Sequence, residues 1–307
     1  MKITNILFIL FLFTLDIYAS DELRSDNLSI GEANMLSLEE LLNVTIISST
    51  GTKKTILQAP SIATVITAKQ IEKSSARTLD EVLAMVPGLH VYLSPSDIQS
   101  NSYDIRGIRT NSNAQILTLM NGVPIDSVSH GTALQRFNYP ASAIKRIEVI
   151  RGPGSAIYGA DAFAGVINII TKDAKYLKEN SQAGIRYGSF DRAEIYVNYG
   201  EIYDSGLEFG LNLSYMTSNG DKNRIIKSDL QTSLDNTFGT FSSLAPGSYN
   251  DNYDIYNLNL NLNYNNLSIN IWTHLAKNIG TGAGAANILD PVGKIENAQI
   301  ITDFNYD

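Results

Sequence analysis

Tyr256-Asn257-Leu258-Asn259-Leu260-Asn261-Leu262-Asn263-Tyr264 alternates without a break between apolar and polar residues. A period of two puts every leucine on one face of a β-strand and every asparagine on the other. A tyrosine closes the apolar face at each end. The pattern recurs on both sides. Ala183, Ile185 and Tyr187 alternate with Gln182, Gly184 and Arg186. Ala193, Ile195, Val197 and Tyr199 alternate with Arg192, Glu194, Tyr196 and Asn198. Leu207, Phe209, Leu211, Leu213 and Tyr215 alternate with Glu208, Gly210, Asn212 and Ser214, and Leu267–Thr273 and Ala298–Tyr306 continue the scheme.

The connections between these segments run short (188–191), short (200–206), long (217–253), very short (Asn265-Asn266) and long (275–296). If the first strand runs outward, the tight connections at 200–206 and 265–266 fall on one side and both long ones on the other. Bacterial outer-membrane barrels have that asymmetry, with tyrosines as interfacial girdles. A soluble sandwich also alternates. The tyrosine ends, the loop asymmetry and the N-terminus together weigh for a membrane barrel.

That N-terminus has Lys2, an unbroken apolar run Ile6–Phe13, and small residues at Tyr18-Ala19-Ser20. The run is too short for a helix that spans a bilayer, which takes roughly 20 apolar residues. Residues 1–19 are expected to be a cleaved signal peptide. Entry into a membrane would then be by strands.

Composition narrows the alternatives. The chain of 307 residues has a net charge of -8 and no basic stripe, which argues against a nucleic-acid partner. It has no cysteine, which excludes disulfides and thiolate chemistry. Three scattered histidines, His90, His130 and His274, make no metal cluster. No nucleophile–base pair stands out, so neither an enzyme nor a cofactor is expected.

Residues 20–58 are polar and weakly patterned. A short helix is expected over Leu36–Leu42, with Ser37 and Glu40 as a capping box. The β-branched run Asn43–Ser48 follows. Residues 59–175 read as a compact α+β domain. Ile62–Ile66 is a strand, and Thr67 with Gln70 forms a capping box opening a helix to about Lys73. Thr78 with Glu81 forms a second box, and Leu79, Val82, Leu83 and Val86 make one apolar helical stripe that stops at Pro87-Gly88. Strands are expected at His90–Leu93, Tyr103–Ile108, Gln115–Met120, Arg146–Arg151 and Val166–Thr171. Asn121-Gly122 before Val123-Pro124-Ile125 is a hairpin signal, and Pro140 begins a short helix.

Several ordered motifs in this domain resemble the plug of TonB-dependent outer-membrane receptors. They are Arg77–Leu83 with Val86-Pro87-Gly88-Leu89, then Ile105-Arg106-Gly107-Ile108. Leu117–Pro124 is similar to the family's Ile-Asp-Gly-Val-Pro hairpin, with Met-Asn in place of Ile-Asp. Ile147–Gly159 through Gly165–Thr171 is similar to the plug's closing signature. The resemblance covers about 36–175 strongly and the later strands loosely. Gly152-Pro153-Gly154-Ser155 after a strand also suggests a phosphate loop. Its spacing is not G-x-G-x-x-G, no Gly-Lys-Ser/Thr follows, and Pro153 lacks an amide hydrogen.

The resemblance implies an α+β plug followed by antiparallel transmembrane strands (180–307), the start of a barrel of about 22 strands whose lumen needs plugging. Six strands leave an open sheet, which is not viable in lipid. The chain is therefore expected to be a fragment or a split frame that does not transport alone. In the family, a TonB box pairs as an added strand with the periplasmic energy-coupling protein TonB. Val44-Thr45-Ile46-Ile47-Ser48 is the candidate box, the alternative being the plug's own first strand.

Arg106, Glu148 and Arg151 match positions where the family holds plug to wall by charge pairs. The alternative is surface salt bridges of little weight. Candidate ligand loops contain Ser94, Ser96, Asp97 and Gln99, and Ser127, His130, Gln135 and Arg136. Some forty residues before the plug leave no room for a signalling domain. The implied function is active uptake of a scarce ligand, a ferric siderophore first and cobalamin or haem next. A non-transporting adhesin or bacteriocin-docking protein is the contrasting reading.

Overall fold

The computed structural model describes residues 45–46, 54–55, 62–93, 101–108, 115–125, 138–152, 154, 158–282 and 287–306. The signal peptide, the helix over 36–42 and all eight ligand-loop candidates lie outside these residues.

The α+β domain is built on a five-stranded sheet in the order β3-β8-β9-β6-β7. Here β3 is Ile62–Thr67, β6 Ile116–Met120, β7 Val123–Pro124, β8 Ile144–Arg151 and β9 Gly165–Thr171. The middle strand β9 pairs antiparallel with β8 and parallel with β6. Its apolar residues Val166, Ile167 and Ile169 are fully buried. The hairpin turn is Asn121-Gly122, with φ of 51° and 88°, between the pairs Met120–Val123 and Leu119–Pro124. Positive φ at both turn residues is what a two-residue hairpin needs, and Asn-Gly supplies it cheaply.

Helix 68–73 starts at Thr67 with both halves of its capping box formed. Helix 79–83 buries Leu79, Val82 and Leu83, and with Val86 they join one core containing Ile105, Ile147 and Ile169. Its expected capping box is absent. Thr78 makes no side-chain cap bond, and Glu81 accepts instead from the Arg77 amide at 2.6 Å. Thr78 is held extended in a bridge to Pro140, and the Leu79 amide donates to the Tyr139 carbonyl at 2.8 Å. A tertiary contact has taken over the cap's task of satisfying a first-turn donor.

A two-stranded ribbon, β4 (Leu89–Leu93) with β5 (Asn101–Ile105), lies outside the main sheet. The strand expected to reach Ile108 stops at Ile105, because Arg106 and Gly107 take φ of 55° and 78° and turn the chain. The Gly107 amide donates to Asp104 at 2.7 Å there.

The remaining strands form a six-stranded antiparallel sheet in sequence order: β10 (Gln182–Gly188), β11 (Arg192–Ile202), β12 (Glu208–Ser218), β15 (Tyr253–Tyr264), β16 (Leu267–Gly280) and β17 (Lys294–Tyr306). A small ribbon, β13 (Ile225–Ile226) with β14 (Gly247–Ser248), lies inside the long 219–252 connection. A single bulge interrupts the register, between Ala276 and Ile279.

The burial of this sheet decides its environment. Asn198, Asn212, Asn257, Asn259 and Glu194 are each no more than 7% exposed, whereas Ile185 is 79%, Tyr187 72%, Ile300 66% and Phe304 66% exposed. A soluble sandwich buries its apolar face. Apart from a buried apolar cluster of Met216, Tyr253, Ile255, Ala276 and Ile279, this sheet does the reverse, as a wall between lipid and a polar lumen does. No helix among the described residues is long and apolar enough to cross a membrane.

Two helices escaped the sequence reading. Helix 174–179 (Ala174–Glu179) is under two turns, too short to show a helical stripe, although Asp173 caps it by accepting from the Tyr176 amide at 2.9 Å. Helix 230–238 (Leu230–Phe238) sits in the long outer connection, with Asp229 and Thr232 as its capping box and Gly239 as its left-handed end. Those cap signals were present in the sequence.

Candidate functional site

The polar face of the wall seats the α+β domain through side-chain amides. Asn198 Nδ2 donates to the Ser142 carbonyl at 2.9 Å, and Asn212 Nδ2 to the Lys172 carbonyl at 2.8 Å. Gln299 Nε2 donates to the Ile125 carbonyl at 3.3 Å, and Asn261 Oδ1 accepts from the Ala174 amide at 3.4 Å. Asn259 Nδ2 donates to the Tyr139 hydroxyl. Two of the asparagines that define the alternation of β15, Asn259 and Asn261, thus reach the inner domain. An amide costs far less to bury than a charge and still satisfies a backbone carbonyl that a strand cannot reach.

Apolar contact completes the seat. Trp272 of β16 packs in the inner domain's core cluster, with its ring 6.5 Å from that of Tyr139, and Ile301 of β17 packs against the same cluster. Between the β6–β7 hairpin and the wall a gap of about 80 Å³ remains, lined by Asn121, Thr171, Asn261, Asn270 and Asp303 among others.

An α+β domain held inside the polar face of a lipid-facing strand wall is the architecture expected above, and comparison with known proteins agrees. The family described as "TonB-dependent Receptor Plug Domain" matches residues 55–166. A vitamin B12 transporter, BtuB of Vibrio vulnificus, is 37% identical over 176 residues, which cover 51% of this chain and 28% of the relative. Among solved structures, the FpvA receptor of P. aeruginosa superposes with a TM-score of 0.56 at 16% identity, over 86% of this chain and 34% of FpvA. The siderophore receptor PiuA of Acinetobacter baumannii gives 0.53 at 18% identity, over 78% and 29%. Residues 55–166 are a plug domain of the TonB-dependent receptors. The chain spans about a third or less of the relatives it matches.

That match makes the inner domain a plug, and the proteins that carry it are outer-membrane proteins of Gram-negative bacteria. The residues singled out for plug–wall charge pairs stand as follows. Glu148, fully buried on β8, pairs with Arg146 of the same strand at 2.8 Å. Arg151 donates to Thr64 Oγ1 at 2.8 Å and to the Pro87 carbonyl. Arg106 is exposed on its turn. Among the described residues, none of the three forms an ion pair with the six wall strands. The ion pairs that do cross from plug side to wall are Lys175–Glu208 at 3.0 Å, Lys178–Glu201 at 4.0 Å and Arg192–Glu81 at 3.9 Å.

Of the candidate TonB box, Thr45 and Ile46 are described. They form β1, which pairs with β2 (Lys54–Thr55) in a ribbon of its own and does not join the plug sheet, whose edge is β3. Val44, Ile47 and Ser48 lie outside the described residues.

The wall's outer connections are built as one unit. Asp229 accepts from the Thr232 amide at 2.7 Å, the Ser243 hydroxyl at 2.7 Å and the Leu289 amide of the next outer connection at 2.8 Å. Burial alone would raise its carboxyl, but these donors outweigh it and hold the pKa well below the usual range. Asp235 accepts from Thr240, Gln231 and the Ser242 and Ser243 amides. These bonds, led by Thr240, bring it down to about 2.

Proposed function

We propose that the receptor takes up a scarce small ligand actively across the outer membrane, coupled through TonB. The observation that carries this reading is the plug seated against the polar face of the wall by side-chain amide hydrogen bonds, which water can replace one at a time. A lumen so filled excludes passive flow, so passage requires work on the plug, and a strand-forming segment just before the plug suits coupling by strand addition.

For the ligand, the sequence motifs alone put a ferric siderophore first, with cobalamin or haem next. The 36–37% identity to two proteins named vitamin B12 transporters lends cobalamin the stronger support. The siderophore receptors share the fold at less than 25% identity, which carries no ligand. Cobalamin uptake is therefore the first reading to test, and a ferric siderophore the second.

In the full-length receptor, Thr45→Pro with Ile46→Pro removes two ladder amides from the candidate box. Labelled cobalamin should still bind to cells, and its accumulation should fall at least tenfold. Accumulation that survives the double substitution overturns the coupling role of this segment. Surface binding of cells with no accumulation in the parent receptor would instead point to the adhesin reading.

A further inference from the structure

Helix 174–179 joins the last plug strand to the first wall strand, and its seat is unusually close. Gly200 of β11 and Gly210 of β12 face each other in register. A Cβ at Gly200 would stand 2.4 Å from Leu177 Cβ and 2.8 Å from the Ala174 carbonyl oxygen. A Cβ at Gly210 would stand 2.7 Å from the Ala174 amide nitrogen. Helix backbone therefore lies directly on sheet backbone, and neither position leaves room for a side chain.

Charges close round the same helix. Lys172, just before it and 1% exposed, pairs with Glu72 of helix 68–73 at 2.9 Å. Its ammonium lies 5.4 Å from the Tyr176 ring, and that of Lys145 lies 5.8 Å from the same ring. Lys145 also pairs with the capping Asp173 at 2.7 Å. Such cation–ring contacts strengthen as they are desolvated.

We infer that helix 174–179 is a latch, which fastens the C-terminal end of the plug to the wall by a glycine notch and is held separately from the plug's own core. The apolar core of the plug contains no residue of this helix. A plug fastened there cannot leave the lumen as a rigid body while the helix stays in its notch. The latch stands whether or not the receptor transports cobalamin.

The chain has no cysteine, so a single introduced thiol reports cleanly. In the full-length receptor in isolated outer membranes, Leu177→Cys and, separately, Ile167→Cys in the plug core should react slowly with a water-soluble maleimide. Adding Gly210→Val should speed the reaction at Leu177→Cys at least tenfold and leave Ile167→Cys unchanged. Should the valine receptor fail to assemble, Gly210→Ala puts the same Cβ against Ala174 and should give a several-fold increase. Leu177→Cys that stays slow beside either substitution overturns the notch. Ile167→Cys that accelerates in parallel shows that the helix is part of the plug core, and the latch is lost.

Discussion

Asn212 shows how the wall holds the plug. Its amide reaches the Lys172 carbonyl, a backbone acceptor at the end of β9, from a position only 3% exposed. A carboxylate there would be repelled by that carbonyl, and a buried lysine would need a partner of its own. Such a hydrogen bond adds about 0.5–1.5 kcal/mol net, yet removing the donor leaves the carbonyl unsatisfied at about 1–3 kcal/mol. Asn212→Ala should therefore loosen the seat by roughly 1–2 kcal/mol, a factor of about 5–30 in local opening. Hydrogen exchange of the amides at 171–174 in the full-length receptor measures this. Exchange no faster than in the parent would show that the bond carries no load. At the hairpin, Gly122→Ala forces a side chain to φ of 88° and should cost about 1 kcal/mol in the stability of the β6–β7 turn. The same exchange experiment reads it at Val123 and Ile125.

At the scale of elements, the outer connections make a pH-dependent unit. Asp229 and Asp235 have folded pKa values below their ordinary value of 3.8, with Asp235 near 2. The stability they contribute is present above pH 4 and is lost as the pH falls from 3.8 through the folded values. Hydrogen exchange over 229–243, corrected for its intrinsic rate, should thus stay constant from pH 7 to 4.5 and rise below pH 4. Asp229→Asn should remove part of that dependence and free the Leu289 amide at neutral pH. Protection that is flat down to pH 2 contradicts the network. The long strands and the helix stripe at 79–86 were legible because each repeats a local signal over five or more residues, and the hairpin because Asn121-Gly122 names its own turn. Helix 174–179 was not, since six residues cannot show a period of 3.6, and neither was the role of Gly200 and Gly210, whose meaning lies in a helix that packs on them. Alternation gave the lumen face of β15, but no sequence pattern tells that Asn259 meets Tyr139 from 120 residues away. The box at Thr78 failed for the same kind of reason, a contact with Tyr139 and Pro140 replacing a local cap.

For the whole molecule, the question is which solvent each face of the wall meets. Between Tyr256 and Tyr264 the strand advances eight residues, about 27 Å at 3.4 Å each. A strand tilt of about 40° brings that to about 21 Å along the membrane normal, close to the apolar band of about 25 Å in known barrels. Tyr256 stacks on Tyr215 of β12 with ring centroids 4.7 Å apart, at one rim, while Tyr264 and Tyr306 mark the other, both flanking Leu267 in register. Leu258, Leu260 and Leu262 then lie in the hydrocarbon, and the asparagines between them face the plug. Leu260→Arg, near mid-depth, should destabilise the full-length receptor in vesicles by about 2–4 kcal/mol, whereas the same change at Leu267, by the rim, should cost about 0–1 kcal/mol. Urea titration of the receptor folded into phosphatidylcholine vesicles gives both values. A depth-dependent penalty arises only if the leucine face meets lipid, because an aqueous surface would accept arginine equally at both positions. Equal small effects at Leu260 and Leu267 would remove the wall from the membrane, and the plug would then have no lumen to fill.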